Sequence, residues 1–311
     1  MKPVEDAFAS DTFRRVILPG IVLAIGIHPL IANWVHILDR LYGIGATPML
    51  VAEVIFFGLV VSSAINWIYY VYEGFRLAPL TALAHHINRR RVKKLMEVRR
   101  ELQALKDRTP SQQNKFYQAY EGLRDFPVRK RPDGKIEYFA ERPTVLGNII
   151  AVYELYAQTR YGFDGVDYWS HLLSFASPEA RKEFSDQYAF AESLVLTSFS
   201  GALVTILYVF LLIGFAIGKF FPGLAVVTVQ AGPAAAVALL AFGIVVWIVF
   251  YEAALPAHRE AGRTLKSVID TSVPEFLVWL SKVRAPLDEA TVEKLEKLRR
   301  YLAEPNSHNA V

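Results

Sequence analysis

Four uninterrupted apolar runs, each long enough to cross a bilayer, limit what this chain can fold into. They are Val16–Leu38, about Leu50–Tyr72, about Leu194–Ile217 and about Ala234–Ala254. The first holds 23 residues, roughly 35 Å of helix at about 1.5 Å per residue, against a hydrocarbon core of about 30 Å. In lipid only helices and closed barrels satisfy every backbone N–H and C=O, and runs this continuous read as helices. Apolar residues make up 53% of the 311, and their clustering excludes a soluble globular protein, a disordered chain and a fibrous one. Cysteine is absent, which excludes a disulfide framework, a thiol nucleophile and a Cys-ligated zinc site. The first run is longer than the roughly 7–15-residue core of a signal peptide, and no small-residue cleavage site follows it.

Basic residues near the run ends set the orientation. Arg76, Arg89, Arg90, Arg91, Lys93, Lys94, Arg99 and Arg100 follow run two, whereas the loops after runs one and three each carry a single basic residue. The expected layout is a cytoplasmic N-terminus (1–15), two helices (16–74), a cytoplasmic segment (75–192), two helices (193–255) and a cytoplasmic amphipathic tail (256–311). This is a multi-pass protein of the cell membrane with both termini cytoplasmic. The fold class is an all-α membrane protein, four spans arranged 2+2, with mostly helical cytoplasmic extensions and one small β-hairpin.

Charge divides the middle segment. Gly74–Arg131 carries 15 basic against 5 acidic residues, and Pro132–Glu192 carries 5 against 10. The net charge of +4 hides this contrast. The basic block either marks the inner leaflet or binds anionic lipid head groups through Arg89, Arg90, Arg91, Lys93, Lys94, Arg99 and Arg100, at about 1 kcal/mol per residue near the surface. Nucleic acid is not expected, since no recognition fold accompanies the charge. Arg76–Asp107 reads as one helix, in which Leu95, Val98, Leu102 and Leu105 form a short seam, packed within the protomer or against a second copy. Val128–Arg131 and Lys135–Phe139 flank Pro132-Asp133-Gly134 as a hairpin. A helix capped by Thr144 or Asn148 runs to about Tyr161 and closes at Gly162. Ser177-Pro178-Glu179 starts another, running straight into run three. Pro256 kinks or ends run four. The tail reads as an amphipathic stretch broken at Pro274, with Trp279 as a lipid anchor, then a last helix from Asp288.

The segment Arg142–Leu173 is dense in Tyr, Trp and charge. It offers Asn148, Glu154, Arg160, Asp164 and Trp169 as a partner surface. It has no metal-ligand spacing and no nucleophile with a base at hand. Leu146-Gly147-Asn148, then Glu154, Arg160-Tyr161-Gly162, Asp164 and Trp169 resembles a segment of uncharacterised bacterial four-transmembrane-helix proteins with a central cytoplasmic segment. The stretch AHREAGRTLKSVIDTSVPEFL is similar to that family's cytoplasmic tail. Together these cover about a fifth of the chain. His171 departs from the pattern, where Pro and Arg follow the aromatic. The resemblance implies a protein of this layout and implies no activity.

Ionisable groups at membrane depth default to function. His28 sits near the midpoint of run one, followed by Pro29, with Asn33 and His36 further out. Glu53 lies about one turn into run two, with Ser62, Ser63 and Asn66 deeper. His28 either bonds a carbonyl freed by Pro29 or lines a path, and a Glu53–His36 ion pair is expected at the outer rim. Gly20, Ala24, Gly58, Ser62, Gly214 and Gly218 allow close helix approach. These residues point to a non-enzymatic, cofactor-free homo-oligomeric channel or pore lined by His28, Asn33, Ser62, Ser63 and Asn66. The alternative is a membrane scaffold or signalling adaptor binding a cytoplasmic partner or anionic lipid. Single cysteines test the topology against a background of none. Tyr42→Cys should react with an impermeant thiol reagent on intact cells and Lys130→Cys should not. The reverse pattern sinks the orientation.

Overall fold

The computed structural model describes residues 13–42, 45–75, 78–130, 136–220 and 232–283. Described residues are mostly helical, and three helices are long and apolar enough to cross a membrane: Phe13–Ala32, Pro178–Ile217 and Pro233–Leu280. The chain divides into two compact units, Met1–Leu77 with Asp186–His258, and Ala78–Ser185 with Arg259–Val311. The inter-strand turn at Pro132–Gly134, the loop between runs three and four and the helix expected from Asp288 lie outside the described residues, as do the side chains of Asn33, His36, Tyr42 and Lys130.

The first unit contains a π-helical turn at Phe13–Ile17, then α1 (Leu18–Tyr42), α2 (Ala46–Ser63) and α3 (Ile65–Tyr72). It also takes the C-terminal part of α9 (Pro178–Phe220) and the N-terminal part of α10 (Pro233–Val283). Run two is not the continuous helix its composition predicts. It breaks at Ala64, and the pieces Thr47–Ser63 and Ile65–Tyr72 meet at 62°. Ala64 itself has φ −89° and ψ 9° and its N–H bonds to the Val61 carbonyl, a 3₁₀-type closure. Apolar pattern reports burial in lipid, not straightness, so this break left no hydropathic trace.

Backbones touch at two glycine crossings. A Cβ on Gly20 would lie 2.0 Å from the Val54 carbonyl oxygen, and one on Gly58 would lie 1.9 Å from that of Val16. The order of these contacts runs α1 and α2 antiparallel. In the second crossing a Cβ on Gly201 would meet the Trp247 nitrogen at 2.6 Å, and one on Gly243 the Thr205 nitrogen at 2.8 Å. Gly20 and Gly58 were legible as small-residue contacts. Gly214 was not one, since a Cβ there meets nothing within 4 Å. Outward faces remain apolar, with Phe56, Leu59, Phe210, Val245, Ile248 and Val249 exposed. That is the inverse of a water-soluble surface.

The second unit comprises α4 (Ala78–Gln103), α5 (Pro110–Leu123), strands β1 (Val128–Lys130) and β2 (Ile136–Tyr138), α6 (Val145–Glu154), α7 (Tyr156–Tyr161) and α8 (Trp169–Phe175). Parts of α9 and α10 complete it. The strands pair antiparallel with Arg129 opposite Glu137. Thr109 starts α5 with a capping box and Pro110 at its first position. Thr144 caps α6, not Asn148. The expected helix to Tyr161 divides at Leu155, and Gly162 closes α7 in the left-handed region at φ 80°. Ser177 accepts from the Ala180 N–H as the cap of α9, which continues unbroken to Phe220 as its sequence predicts. Leu95 of the expected seam packs with Met96 on a core of Val92, Leu123, Phe126 and Ala140. Leu105 stays exposed beyond the end of α4.

Neither Pro256 nor Pro274 ends α10, which runs 51 residues. Proline's fixed φ is itself helical, so a helix packed along its length tolerates the loss of one N–H. A helix of this length reaches roughly 75 Å, about 20 residues of which fill a bilayer core. The apolar stretch Ala234–Ala254 meets that need, and Arg259, Glu260, Arg263, Lys266 and Asp270 lie beyond it.

The glycine crossings set a stability test. Gly201→Leu should cost several kcal/mol, since overpacking alone costs about 1–3 and here the obstacle is backbone. Gly214→Ala should leave the melting temperature unchanged or raised, by up to about 1 kcal/mol of helix propensity. Thermal melts in detergent compare the two. Equal melting temperatures would remove the crossing.

Candidate functional site

In the first unit the polar groups at depth are joined pairwise. His28 Nδ1 lies 3.0 Å from Glu53 Oε2 and 3.3 Å from Oε1. Glu53 thus takes His28, a pairing the sequence did not single out, and His28 takes a carboxylate rather than a carbonyl; the expected His36 pairing lies outside the described residues. Helical Cβ atoms tilt toward the N-terminus, so on antiparallel α1 and α2 the two side chains lean toward each other. The Glu53 side chain is 11% exposed and His28 40% exposed. Ile21 and Ile25 are exposed on the same helix, seven and three residues from His28, so His28 belongs to the outward stripe of α1.

The carbonyl near Pro29 has another partner. The buried Tyr208 hydroxyl donates to the Gly26 carbonyl at 2.8 Å, in the turn where Pro29 disrupts the helical ladder. The carbonyl that the missing Pro29 N–H leaves free is that of Ile25, and the Tyr208 bond falls on the next one along. Ser198 joins three helices: its hydroxyl donates to the Trp247 carbonyl at 2.9 Å and bonds the Tyr72 hydroxyl at 2.9 Å. Tyr69 and the buried His258 bond at 3.1 Å. Arg15 pairs with the nearly buried Glu192 at 2.5 Å.

The expected lining is placed more loosely. Ser62 is half-buried, Ser63 and Asn66 are exposed, and the Ser63 hydroxyl donates back to the Val60 carbonyl. These three straddle the break at Ala64. The bonds of Tyr208, Ser198 and Tyr72 were not foreseen from the sequence. A tyrosine or serine in an apolar run gives no signal of which carbonyl it reaches.

In the second unit the residues read as a partner surface each have contacts within the chain, from the buried Asn148 to the exposed Asp164. Asn148 is completely buried and uses its whole amide. It accepts from the Arg142 N–H at 3.0 Å and donates to the Arg142 and Thr144 carbonyls at 2.6 Å each. It therefore belongs to the interior, because a buried amide with satisfied bonds has nothing left for a partner. Glu154 pairs with Arg142. Asp164 accepts from the Val166 N–H at 2.9 Å in a tight turn. Trp169 packs edge-on to Phe184. Arg160 lies 3.8 Å from Asp270.

Asp270 on α10 is the hub that the sequence did not advertise. It accepts from the Tyr156 hydroxyl at 2.8 and 2.9 Å and from the Tyr161 hydroxyl at 2.6 Å. Arg160 and Lys266 lie over these rings, Lys266 Nζ 5.3 Å from the Tyr156 centroid. Beside them Phe163, Tyr168, His171, Phe175, Phe276 and Trp279 form one aromatic cluster. Trp279, expected as a lipid anchor, stacks here on His171 at 4.7 Å. Arg259 holds the buried Asp125 with two bonds of 2.6 and 2.9 Å. No group of His, Asp and Glu that could hold a metal occurs among the described residues.

Comparison with protein-family models finds no match, and neither curated proteins nor solved structures match the chain.

Burial pushes the Lys266 ammonium down to about 8, with Arg124 adding to the fall and Asp270 opposing it. Burial, reinforced by Asp270, pushes Tyr156 and Tyr161 well above the ordinary phenol range. Between about pH 8 and 10.5 the unfolded lysine holds a proton that the folded one has released, so stability rises with pH through that window. Above about pH 10 the unfolded tyrosines ionise first and stability falls. Unfolding followed by tryptophan fluorescence from pH 7 to 11 should show the rise in the wild type and lose it in Lys266→Met. A rise kept by the variant would remove Lys266 as its source.

Proposed function

We propose that this chain is a multi-pass membrane protein that assembles with copies of itself around an ion-conducting path containing the His28–Glu53 pair. In this reading the bent pair α2–α3 counts as the fourth span. Both termini and the middle segment are cytoplasmic, and the protein is neither an enzyme nor a cofactor carrier. The supporting observation is the exposure of His28, whose side chain is 40% open at the middle of an apolar helix. An ionisable group facing lipid is expensive. A second copy or a wetted path at that face removes the cost. Four apolar helices alone cannot enclose water, so the path requires several protomers. Ser63 and Asn66, exposed near the break at Ala64, extend the polar surface available to it. A second reading, a scaffold binding a cytoplasmic partner, draws on the exposed basic residues of α4.

The two readings separate by mass and flux. Protein in lipid discs should have the mass of a closed oligomer, and liposomes containing it should pass ions in a pH-dependent way. His28→Ala and Glu53→Gln should each lower the flux at least about tenfold or abolish its pH dependence, as removal of one partner of a low-dielectric pair costs about 3–5 kcal/mol. A monomer without flux removes the pore and leaves the scaffold. Flux that both variants leave untouched would move the lining elsewhere.

A further inference from the structure

Lys266 is half-buried on α10, with its Nζ 5.3 Å from the centroid of the Tyr156 ring. Among the described residues it makes no hydrogen bond and no ion pair. A lysine drawn off the surface ordinarily takes a carboxylate, and one stands a turn further along the helix at Asp270. That carboxylate is already shared. It accepts from the Tyr156 hydroxyl at 2.8 and 2.9 Å and from the Tyr161 hydroxyl at 2.6 Å, and Arg160 lies 3.8 Å away. The ring face that remains attracts an ammonium only weakly.

The charges facing Lys266 are on balance positive. Arg124, at the end of α5, repels the ammonium more than Asp270 attracts it. Arg160 of α7 lies over the same Tyr156 ring, its Cζ 5.7 Å from the centroid. Asp125, next to Arg124, is committed to Arg259, and Arg263, one turn back on α10, is paired with Glu260. Tyr156 and Tyr161 are held above the ordinary phenol range and stay neutral. Burial and Arg124 bring the amine down to about 8. At pH 7 such an amine is uncharged in about one molecule in ten, against about one in three thousand for an ordinary lysine. Desolvation and a neighbouring cation are the two means by which a lysine becomes a nucleophile.

The same field selects the electrophile. An imine formed with an aldehyde is neutral or cationic and gains nothing from Arg124 and Arg160. A carbamate is an anion and gains from both. We propose that the Lys266 amine takes up carbon dioxide and forms a carbamate, its negative charge balanced by Arg124 and Arg160. The Nζ lone pair forms the new bond to the carbon, one C=O electron pair moves onto oxygen, and an N–H proton leaves to water. Nothing is oxidised or reduced. The uptake exchanges an unpaired cation for an anion among cations. It lies wholly in the second unit and draws nothing from the pore.

Full-length protein in detergent is equilibrated with ¹³C-labelled carbon dioxide near neutral pH, treated with triethyloxonium to esterify any carbamate, digested and read by mass spectrometry. The trapped ester should be at least about tenfold more abundant at Lys266 than at any other lysine, given its larger uncharged fraction. Arg124→Gln alters an exposed side chain and should lower that occupancy at least about threefold, because it both raises the amine's proton affinity and removes a partner of the anion. Occupancy at Lys266 no higher than at the other lysines overturns the proposal, and the wild-type protein alone gives that answer. Occupancy that a folded Arg124→Gln leaves unchanged overturns the role of the surrounding charge. A parallel sample treated with acetaldehyde and borohydride reads the competing chemistry. Selective ethylation of Lys266 there, with no trapped ester from carbon dioxide, would make it an aldehyde-reactive lysine and overturn the carbamate.

Discussion

Within an apolar medium every polar group must find its partner inside the protein, and the first unit is arranged around that constraint. Pro29 removes a helical donor, and in the same turn Tyr208 from α9 donates to the Gly26 carbonyl. Ser198 and Thr205 spend hydroxyls on carbonyls of their own or a neighbouring helix. Glycine at two crossings lets backbones approach until van der Waals contact replaces the hydrophobic drive that lipid does not provide. His28 and Glu53 obey the same rule with charge. His28 nevertheless keeps a side chain 40% open inside one protomer, and the functional reading starts there.

The second unit solves a different problem. Its carboxylates are shared out among arginines and tyrosines: Asp125 with Arg259, Glu154 with Arg142, Asp270 with two phenols and Arg160. These contacts join residues more than one hundred positions apart in two of the three cases. They tie the segment before α9 to the stretch of α10 beyond its apolar part. The basic face of α4 is treated oppositely. Arg90, Arg91 and Lys94 are exposed, while Asn88 and Val92 turn inward on the same helix.

Legibility followed the physics of each signal. Three long apolar helices and the caps at Thr144, Ser177 and Gly162 could be read because composition and capping chemistry act locally. The break at Ala64 could not, because no proline or glycine marks it. Pro256 and Pro274 were overread, since local propensity yields to packing along a long helix. Among small residues, Gly20 and Gly58 were recognisable whereas Gly201 and Gly243 were not singled out, and Gly214 was chosen in error. A single sequence shows which glycines permit an approach but not which faces meet. At the candidate sites the residue types were visible and the pairings were not. The Glu53–His28 bond was not foreseen, and Asn148 looked like a surface group while serving as an internal brace.

The bonds at Ser198 have an order that cannot be reversed. A serine hydroxyl has one hydrogen, and here it goes to the Trp247 carbonyl, so the hydrogen between Tyr72 and Ser198 comes from the tyrosine. Polarity thus runs one way, from phenol to hydroxyl to peptide oxygen, and ends on an atom with no proton to pass on. A string of this kind does not conduct protons. It fixes the rotation of three helices about their own axes, like a keyed joint.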